Sequence, residues 1–244
     1  MSFKFKRSSN LLLLTFLLFL NFSCNKTTEV ITGPVNDTRG GLALTFDDYN
    51  IDNWYKYIDL LDSFNVKATF YISNFNKLNA AQKTKLHELQ NHGHEIAFHS
   101  TNHVNFVKYL NNNKCEKLIE EEVTKGLFLM NNEGFFPTTF AYPYGSHSDA
   151  LDKILLKKFK SVRALNGTHD VANSLCSTSE NTMLFSLGID ETSKRKLEEI
   201  EGLLTKASQT NKCAVLLAHN IQRNDIKMQV PLWKLKRIIS TAKS

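Results

Sequence analysis

The sequence predicts an α/β fold in which about seven parallel strands and their connecting helices close into a barrel. Short apolar segments alternate along the chain with segments whose apolar residues recur at helical spacing, which is typical of parallel strands joined by helical crossovers. Polar residues such as Asp47, His99 and His219 directly follow apolar segments that lie far apart in the chain. A barrel brings many strand ends together on one face, so it is favoured over the open doubly wound sheet.

Seven segments have the length and composition of strands. The first, 41–46, is a short apolar run; 67–73 is rich in β-forming residues, and 138–142 ends at Pro143. The segment 213–218 is apolar throughout, as expected for a strand buried on both faces. In chain order, strands are predicted at 41–46, 67–73, 95–99, 138–142, 161–165, 183–189 and 213–218.

The segments between these strands are predicted to be helical. Trp54, Ile58 and Leu61 share one helical face, and the helix before Gly93 has a C-terminal stop signal there. In chain order, helices are predicted at 52–64, 79–91, 111–131, 149–159, 191–208 and 230–243. No internal repeat or second domain is expected.

Residues 1–23 are predicted to be a lipoprotein-type signal peptide. Three basic residues, Lys4, Lys6 and Arg7, lie near their start. The apolar segment 11–20 is shorter than the roughly 20 residues of a transmembrane helix. Cys24 follows, at the position of the acylated first residue of a mature bacterial lipoprotein. Ordinary secretion, with Cys24 unmodified, is the alternative.

This interpretation divides the chain into three parts. Residues 24–39 are expected to form a flexible tether and residues 40–244 the folded domain. We expect an exported, membrane-anchored lipoprotein of a bacterial envelope, periplasmic or on the cell surface, and a monomer.

The charge pattern argues against nucleic-acid binding, and the cysteine spacing argues against a zinc finger or a redox motif. The formal net charge is +6, of which three charges lie on the first seven residues, and no basic stripe with interleaved aromatic residues is present. We therefore expect no nucleic-acid partner. Cys115, Cys176 and Cys213 form no C-x-x-C pair, which argues against a zinc finger or redox motif. One disulfide is possible, but the sequence does not identify the pair.

Two segments indicate metal-assisted hydrolysis. Asp47 and Asp48 end one predicted strand, and His99 and His103 follow another with a spacing of four. One Asp and two His residues supply three metal ligands and leave a coordination position open, while the second Asp is available as a base. The spacing brings both imidazoles to one side if the segment forms a helical turn. Taken singly, each segment is equally compatible with a solvated turn or with structural histidines.

Four segments in this order resemble the motifs of the polysaccharide deacetylases of the NodB-homology group, carbohydrate esterase family 4. The motif T-F-D-D is matched at 45–48 and H-[ST]-x-x-H at 99–103, R-x-P-[YF]-G at 141–145 except for its Arg, and L-x-H at 217–219. The resemblance spans about residues 40–220. The third motif, with Ala141 in place of Arg, is similar to the branch that deacetylates poly-β-1,6-linked N-acetylglucosamine.

The resemblance implies a distorted, incomplete (β/α) barrel with one divalent metal ion, expected to be Zn²⁺, at its C-terminal mouth. The metal ligands would be Asp48, His99 and His103, with a metal-bound water as the nucleophile. Asp47 would be the catalytic base and His219 the acid. The implied reaction removes N-acetyl groups from a surface or extracellular polysaccharide that contains N-acetylglucosamine.

The resemblance also implies roles in the third motif. The backbone N–H of Tyr144 would stabilise the oxyanion, and Pro143 would hold the turn rigid. Tyr142 and Tyr144 would offer ring faces to sugars. Trp54 is a further candidate for this role, or else a core residue.

Two residues of the family pattern are absent, and other residues of this chain must take over their roles. Ala141 occupies the position of the Arg that supports the base, and Arg163 is the candidate to support Asp47 instead. No D-x-x-W motif is present to orient His219, so Asp190 and Asp170 are the candidates. Two alternative functions remain: an O-acetyl esterase on an acetylated glycan such as xylan, and a non-catalytic, metal-containing carbohydrate-binding lipoprotein.

Overall fold

The computed structural model describes residues 40–177, 182–222 and 227–244. The predicted signal peptide, the tether and Cys24 lie outside the described residues. Within these ranges, no helix combines the length and the apolar character needed to cross a membrane.

Seven parallel strands form a closed barrel, as predicted. The strand order is β1-β2-β3-β4-β5-β7-β8, and β8 pairs with β1 to close the ring. The barrel has one strand fewer than the eight of a complete (β/α) barrel. The strands are β1 (Gly41–Asp48), β2 (Thr69–Ile72), β3 (Glu95–Phe98), β4 (Thr139–Ala141), β5 (Ser161–Leu165), β7 (Thr182–Gly188) and β8 (Cys213–Ala218).

Alternate strand residues form two separate layers, because successive side chains of a strand point to opposite faces. Phe46 stacks on its register partner Phe70, with 5.4 Å between ring centroids, and both belong to the main apolar core under the helices. The alternate positions carry Tyr71, Ala97 and Ala141, which form a small cluster of their own. The small alanines leave room for polar side chains on this inner face.

The helices alternate with the strands, but their ends differ from the predictions. The predicted helix at 52–64 is interrupted between α1 (Ile51–Tyr55) and α2 (Ile58–Ser63), because Tyr57 leaves the helical conformation. The last helix begins only after Pro231, which has no N–H to donate within a helix. The remaining helices are α3 (Ala80–Asn91), α4 (Phe106–Leu110), α5 (Cys115–Ile119), α6 (Lys125–Asn132), α7 (Asp149–Leu155), α8 (Leu197–Gln209) and α9 (Leu232–Lys243).

The predicted helix at 111–131 contains an irregular segment. A π-helical turn, Glu120–Thr124, joins α5 to α6. Single π turns inside α-helices are common at functional sites because they change which side chains face inward. Here the turn buries Glu122.

Three short strands were not predicted, because two residues are too few for a recognisable pattern. β6 (Leu175–Cys176) pairs antiparallel with the start of β8. β9 (Asn220–Ile221) and β10 (Gln229–Val230) pair with each other beside the end of β8.

Candidate active site

A cavity of about 630 Å³ opens at the C-terminal ends of the barrel strands. Because parallel strands end on the same face, polar residues from distant parts of the chain meet there. The predicted site residues that line the cavity are Asp47, Asp48, His99, His103, Tyr142, Tyr144 and His219.

Asp48, His99 and His103 form one potential metal-binding group. One ligand atom from each residue lies within 4.8 Å of the others. The distance from Asp48 Oδ1 is 3.2 Å to His103 Nε2 and 3.9 Å to His99 Nε2. One carboxylate oxygen and two imidazole nitrogens are a ligand set that suits a divalent transition metal such as zinc. The residues therefore fit the metal that the family resemblance implies.

His99 is held in the protonation state that a metal ligand needs. Its Nδ1 lies 2.8 Å from the carbonyl oxygen of Ala141, so Nδ1 carries the proton and Nε2 keeps its lone pair. Burial lowers the pKa of His99 to about 4, although Asp47 opposes this effect. His99 is therefore neutral at neutral pH.

The two histidines meet through a left-handed turn, not through the helical turn that their spacing suggested. Ser100 and His103 have positive φ values of 67° and 57°. The Oγ of Ser100 accepts a hydrogen bond of 2.9 Å from the N–H of His103. The imidazole centroids lie 4.9 Å apart.

Glu122 holds this turn from the helical side. Its Oε2 accepts a 2.9 Å hydrogen bond from the N–H of Asn102, and its Oε1 accepts one of 2.8 Å from Asn102 Nδ2. Its backbone oxygen accepts a third, of 3.0 Å, from the N–H of Thr101. Only 2% of Glu122 is exposed. Sequence reasoning missed this residue, because Glu120 to Glu122 reads as a solvated acidic run.

Asp47 is buried beside the metal-binding group and contacts Arg163. Arg163 Nη2 donates to both carboxylate oxygens of Asp47, at 2.6 and 2.5 Å. Arg163 Nη1 donates to Ser186 Oγ at 2.7 Å, and its guanidinium carbon lies 4.9 Å from the centroid of the Tyr71 ring. Ala141, at the position of the family's Arg, is the register partner of Arg163 on the neighbouring strand. The guanidinium of Arg163 thus comes from β5, the strand next to β4, at the level of the position that the family's Arg occupies.

Asp48 adopts a strained backbone conformation, with φ at 87°. The two adjacent carboxylates have different main partners, His103 for Asp48 and Arg163 for Asp47. They share His99, whose Nε2 lies 3.6 Å from Asp47 Oδ2 and 3.9 Å from Asp48 Oδ1. Burial raises the pKa of Asp48, but the hydrogen bond with His103 and the charge of His219 outweigh it. The pKa of Asp48 consequently lies below its usual value, and the carboxylate form is favoured.

His219 follows β8 and is paired with Asp190, which follows β7. His219 Nδ1 lies 2.5 Å from Asp190 Oδ2, and the His219 N–H donates to Asp190 Oδ1 at 3.3 Å. Burial alone would lower the pKa of His219, but the hydrogen bond to Asp190 and the charge of Asp47 outweigh it, so the pKa is raised. Of the two candidates, Asp190 is therefore the one in contact. Asp170 instead accepts a hydrogen bond from the N–H of Ala172.

The third motif forms a tight turn whose conformation depends on Gly145. Tyr144 adopts the left-handed backbone conformation, with φ at 59°, and Gly145 has φ at 62°. A Cβ on Gly145 would lie 2.6 Å from Leu165, so no larger residue fits there. Pro143 starts the turn, and its closing hydrogen bonds use the N–H groups of Gly145 and Ser146. The N–H of Tyr144 is not used in closing the turn.

The aromatic residues of the site divide into one exposed ring and two core rings. Tyr144 is 62% exposed, and its ring centroid lies 4.7 Å from that of His103. Tyr142 is 1% exposed, and its hydroxyl donates to Asp152 Oδ1 at 2.8 Å. Trp54 is fully buried, and its Nε1 donates to the carbonyl oxygen of His219 at 2.6 Å. The sugar-stacking role predicted for Tyr142 is thus wrong in this structure, and Trp54 is a core residue.

Several solved structures have a similar fold. A carbohydrate esterase family 4 esterase from Streptococcus mutans is 21% identical, with a TM-score of 0.57 over 84% of this chain and 82% of that one. The chitin deacetylase of the fungus Colletotrichum lindemuthianum is 17% identical, with a TM-score of 0.59 over 84% and 83%. The catalytic domain of a peptidoglycan N-acetylglucosamine deacetylase from Eubacterium rectale is 17% identical, with a TM-score of 0.55 over 86% of each chain.

The sequence comparisons identify the family. A search of curated proteins found no match. The sequence model of the polysaccharide deacetylase family matches residues 35–159, which is just over half of the chain and includes the first three motifs. The chain therefore belongs to the polysaccharide deacetylase family.

Proposed function

We propose that this protein is a metal-dependent hydrolase that removes N-acetyl groups from a surface or extracellular polysaccharide containing N-acetylglucosamine. One observation carries the proposal: a single cavity is lined by the Asp48–His99–His103 group, by Asp47, and by His219 with its Asp190 partner. Arg163 bonds to Asp47 from behind this lining. A metal-assisted hydrolysis needs a metal site, a base and an acid, and this cavity offers a candidate for each.

Asp48, His99 and His103 would hold the metal, and we propose Zn²⁺. When bound, such an ion lowers the pKa of a coordinated water and polarises an acyl oxygen. The neutral form of His99 and the charged form of Asp48 are the forms that ligate.

The other residues would move protons and stabilise charge. Asp47 takes the proton of the attacking water, and Arg163 keeps that carboxylate in place. The N–H of Tyr144 donates to the acetyl oxygen as it becomes negative. Because Asp190 occupies Nδ1 of His219, Nε2 is the nitrogen that can give a proton to the departing amine. The C–N bond then breaks, and acetate and a free amino sugar leave.

The exposed ring at the edge of the cavity and the similar proteins support the proposal that the substrate is a polysaccharide. Tyr144 exposes an aromatic face at its edge, and sugar rings commonly stack on such faces. The similar Eubacterium and Colletotrichum proteins are named as deacetylases of peptidoglycan N-acetylglucosamine and of chitin. The form of the third motif supports poly-β-1,6-linked N-acetylglucosamine as the first polymer to test.

The experiment is the release of acetate from a panel of N-acetylated and O-acetylated glycans, with and without a chelator. We expect release from an N-acetylglucosamine polymer that the chelator abolishes and added Zn²⁺ restores. Asp47→Asn and His219→Ala should keep the metal but lose about 10²–10⁴-fold in rate. Release only from O-acetylated xylan would favour the esterase. Binding without release from any glycan would favour the non-catalytic lipoprotein.

We also propose that the mature protein is a lipoprotein anchored to the exported side of a bacterial membrane through Cys24. The basic start, the short apolar segment and the cysteine after it support this proposal. Mass spectrometry of the mature N-terminus tests it directly. We expect an acylated Cys24, and an unmodified N-terminus at any other residue would contradict the proposal.

A further inference from the structure

Two of the three cysteines in the described part of the chain lie side by side, at the end of the barrel opposite the cavity. Cys176 is on β6 and Cys213 is the first residue of β8. The two strands are antiparallel, and Cys176 and Cys213 are direct register partners. All three of these cysteines are free thiols in the structure, and each is half-buried.

The register brings the two cysteines within the range that a disulfide requires. Directly opposed residues of an antiparallel pair have Cα atoms about 4.5 or 5.5 Å apart. Disulfides span Cα distances of about 4.4–6.8 Å, so no shift of the strands is needed. The two thiols also interact, since each shifts the pKa of the other.

We propose that Cys176 and Cys213 form a disulfide bond when the protein meets a disulfide oxidant. The bond would fasten β6 to the start of β8, on the edge of β8 that faces away from β1. Among the described residues, β7 pairs with β8 only at Leu216 and Leu217, and β6 lies beside the first two residues of β8. The disulfide would link residues 37 positions apart in sequence and limit the freedom of the unfolded chain.

The reaction is an exchange with a small disulfide such as oxidised glutathione. The interaction with Cys213 lowers the pKa of Cys176, and the interaction with Cys176 raises the pKa of Cys213, so Cys176 is the first to ionise. The Cys176 thiolate attacks the oxidant, forms a mixed disulfide and releases one glutathione thiol. Cys213 then gives up its proton and attacks the sulfur of Cys176, which releases the second thiol. The two cysteines are oxidised and the glutathione disulfide is reduced.

The test is a thiol map of the full-length protein after equilibration in a glutathione redox buffer and alkylation of the remaining thiols. We expect one linked peptide pair that contains Cys176 and Cys213, with a loss of two hydrogens, and we expect Cys115 to be alkylated. Cys115→Ser should give the same linked pair. Cys213→Ser should accumulate glutathione on Cys176, because the second step is then absent.

Two results would overturn the proposal. One is that Cys176 and Cys213 both remain free or carry separate glutathione molecules at equilibrium. The other is that either of them links to Cys115 instead. A melting curve tests the stabilising role: we expect the oxidised protein to unfold about 4–15 °C higher than the reduced one. Equal melting temperatures would show that the bond does not support the fold.

Discussion

Arg163 Nη2 donates hydrogen bonds to both carboxylate oxygens of Asp47, inside the barrel and away from solvent. The contact joins two strands that are not neighbours, since Asp47 is on β1 and Arg163 is on β5. The guanidinium also rests on the ring of Tyr71 and reaches Ser186. Because Ala141 is the register partner of Arg163 and carries no long side chain, the inner face has space for this one cation.

Replacing Arg163 by Met should damage both stability and activity. The change leaves the buried carboxylate of Asp47 without its cation, and breaking a buried pair in this way typically costs about 3–5 kcal/mol. We expect a lower free energy of unfolding in urea and a loss of acetate release that added metal does not restore. Arg163→Lys should recover only part of both, because an ammonium does not reproduce the flat guanidinium that stacks on Tyr71.

The matched control for this change is Arg237→Met. Arg237 pairs with Glu201 at 2.6 Å, but 62% of its side chain is exposed. We expect its replacement to leave unfolding and acetate release nearly unchanged, because solvent already screens the pair. Equal effects of the two substitutions would show that the Asp47–Arg163 contact has no special role.

Asp190→Asn should shift the basic limb of the pH–rate profile to lower pH. An unperturbed histidine has a pKa near 6.5. In the folded protein burial works against the charged form, but Asp190 and the nearby carboxylates raise the pKa of His219. The protonated acid therefore persists to higher pH, and activity is lost only as pH rises through this raised pKa. Removing the Asp190 charge lowers the pKa of His219, so the rate should fall more at pH 8 than at pH 6.

Asp170→Asn is the control for the pH experiment. Asp170 accepts a hydrogen bond from the N–H of Ala172 in its own turn, and an amide oxygen accepts this bond equally well. We expect the pH–rate profile of this variant to match that of the parent. A parent-like profile for Asp190→Asn would mean that Asp190 does not tune His219.

The fold was largely predictable because the barrel strands carry local patterns. Each strand is an apolar segment of limited length between helical segments, and this alternation is sufficient to indicate a parallel barrel. Interruptions within helices were not predictable. The π turn at Glu120–Thr124 carries Glu122, which bonds to the loop of His99 to His103, about twenty residues away in sequence.

The positions of the candidate site residues were predictable to the extent that these residues lie at or just after strand ends. Asp48 is the last residue of β1, and His99 and His219 directly follow β3 and β8. Asp190, which the sequence offered only as one of two candidates, lies two residues after β7. Glu122 carries no such signal, because its role depends on a helix packing against a distant turn. For Tyr142 the sequence suggested too much. Its position in the third motif predicted a substrate contact, but its ring packs against Phe106 and Phe140.

His103→Ala should abolish tight metal binding while the protein stays folded. His103 Nε2 is the nitrogen nearest to Asp48 Oδ1, and its side chain is 23% exposed, so its loss opens no core cavity. We expect the parent to retain about one metal per chain after dialysis and the variant to retain almost none, with similar melting temperatures for the metal-free proteins. His92→Ala is the control, because His92 pairs with Asp62 on the surface, outside the cavity. Full metal occupancy in His103→Ala would contradict the ligand assignment.

Glu122→Gln should weaken metal binding without any direct contact to the metal. The amide can accept one of the two hydrogen bonds from Asn102, but its NH₂ group would face Asn102 Nδ2, so that bond is lost. Space for the turn is already tight, since a Cβ on Gly126 would lie 2.6 Å from Thr101 Oγ1. The turn should loosen, and the Kd for Zn²⁺ measured by competition with a chromogenic chelator should rise about 10–100-fold.

Two further variants separate this positioning role from a general loss of charge. Glu121→Gln removes the charge of the neighbouring residue. Glu121 accepts a hydrogen bond from the Tyr109 hydroxyl and not from the turn, so this variant should leave the Kd unchanged. In the double variant Glu122→Gln/Asn102→Asp, donor and acceptor are exchanged, so the lost hydrogen bond forms again in the reverse direction. We expect the double variant to recover most of the Zn²⁺ affinity. If it binds as weakly as Glu122→Gln alone, or if Glu121→Gln weakens binding equally, the turn is not held through the Glu122–Asn102 hydrogen bonds.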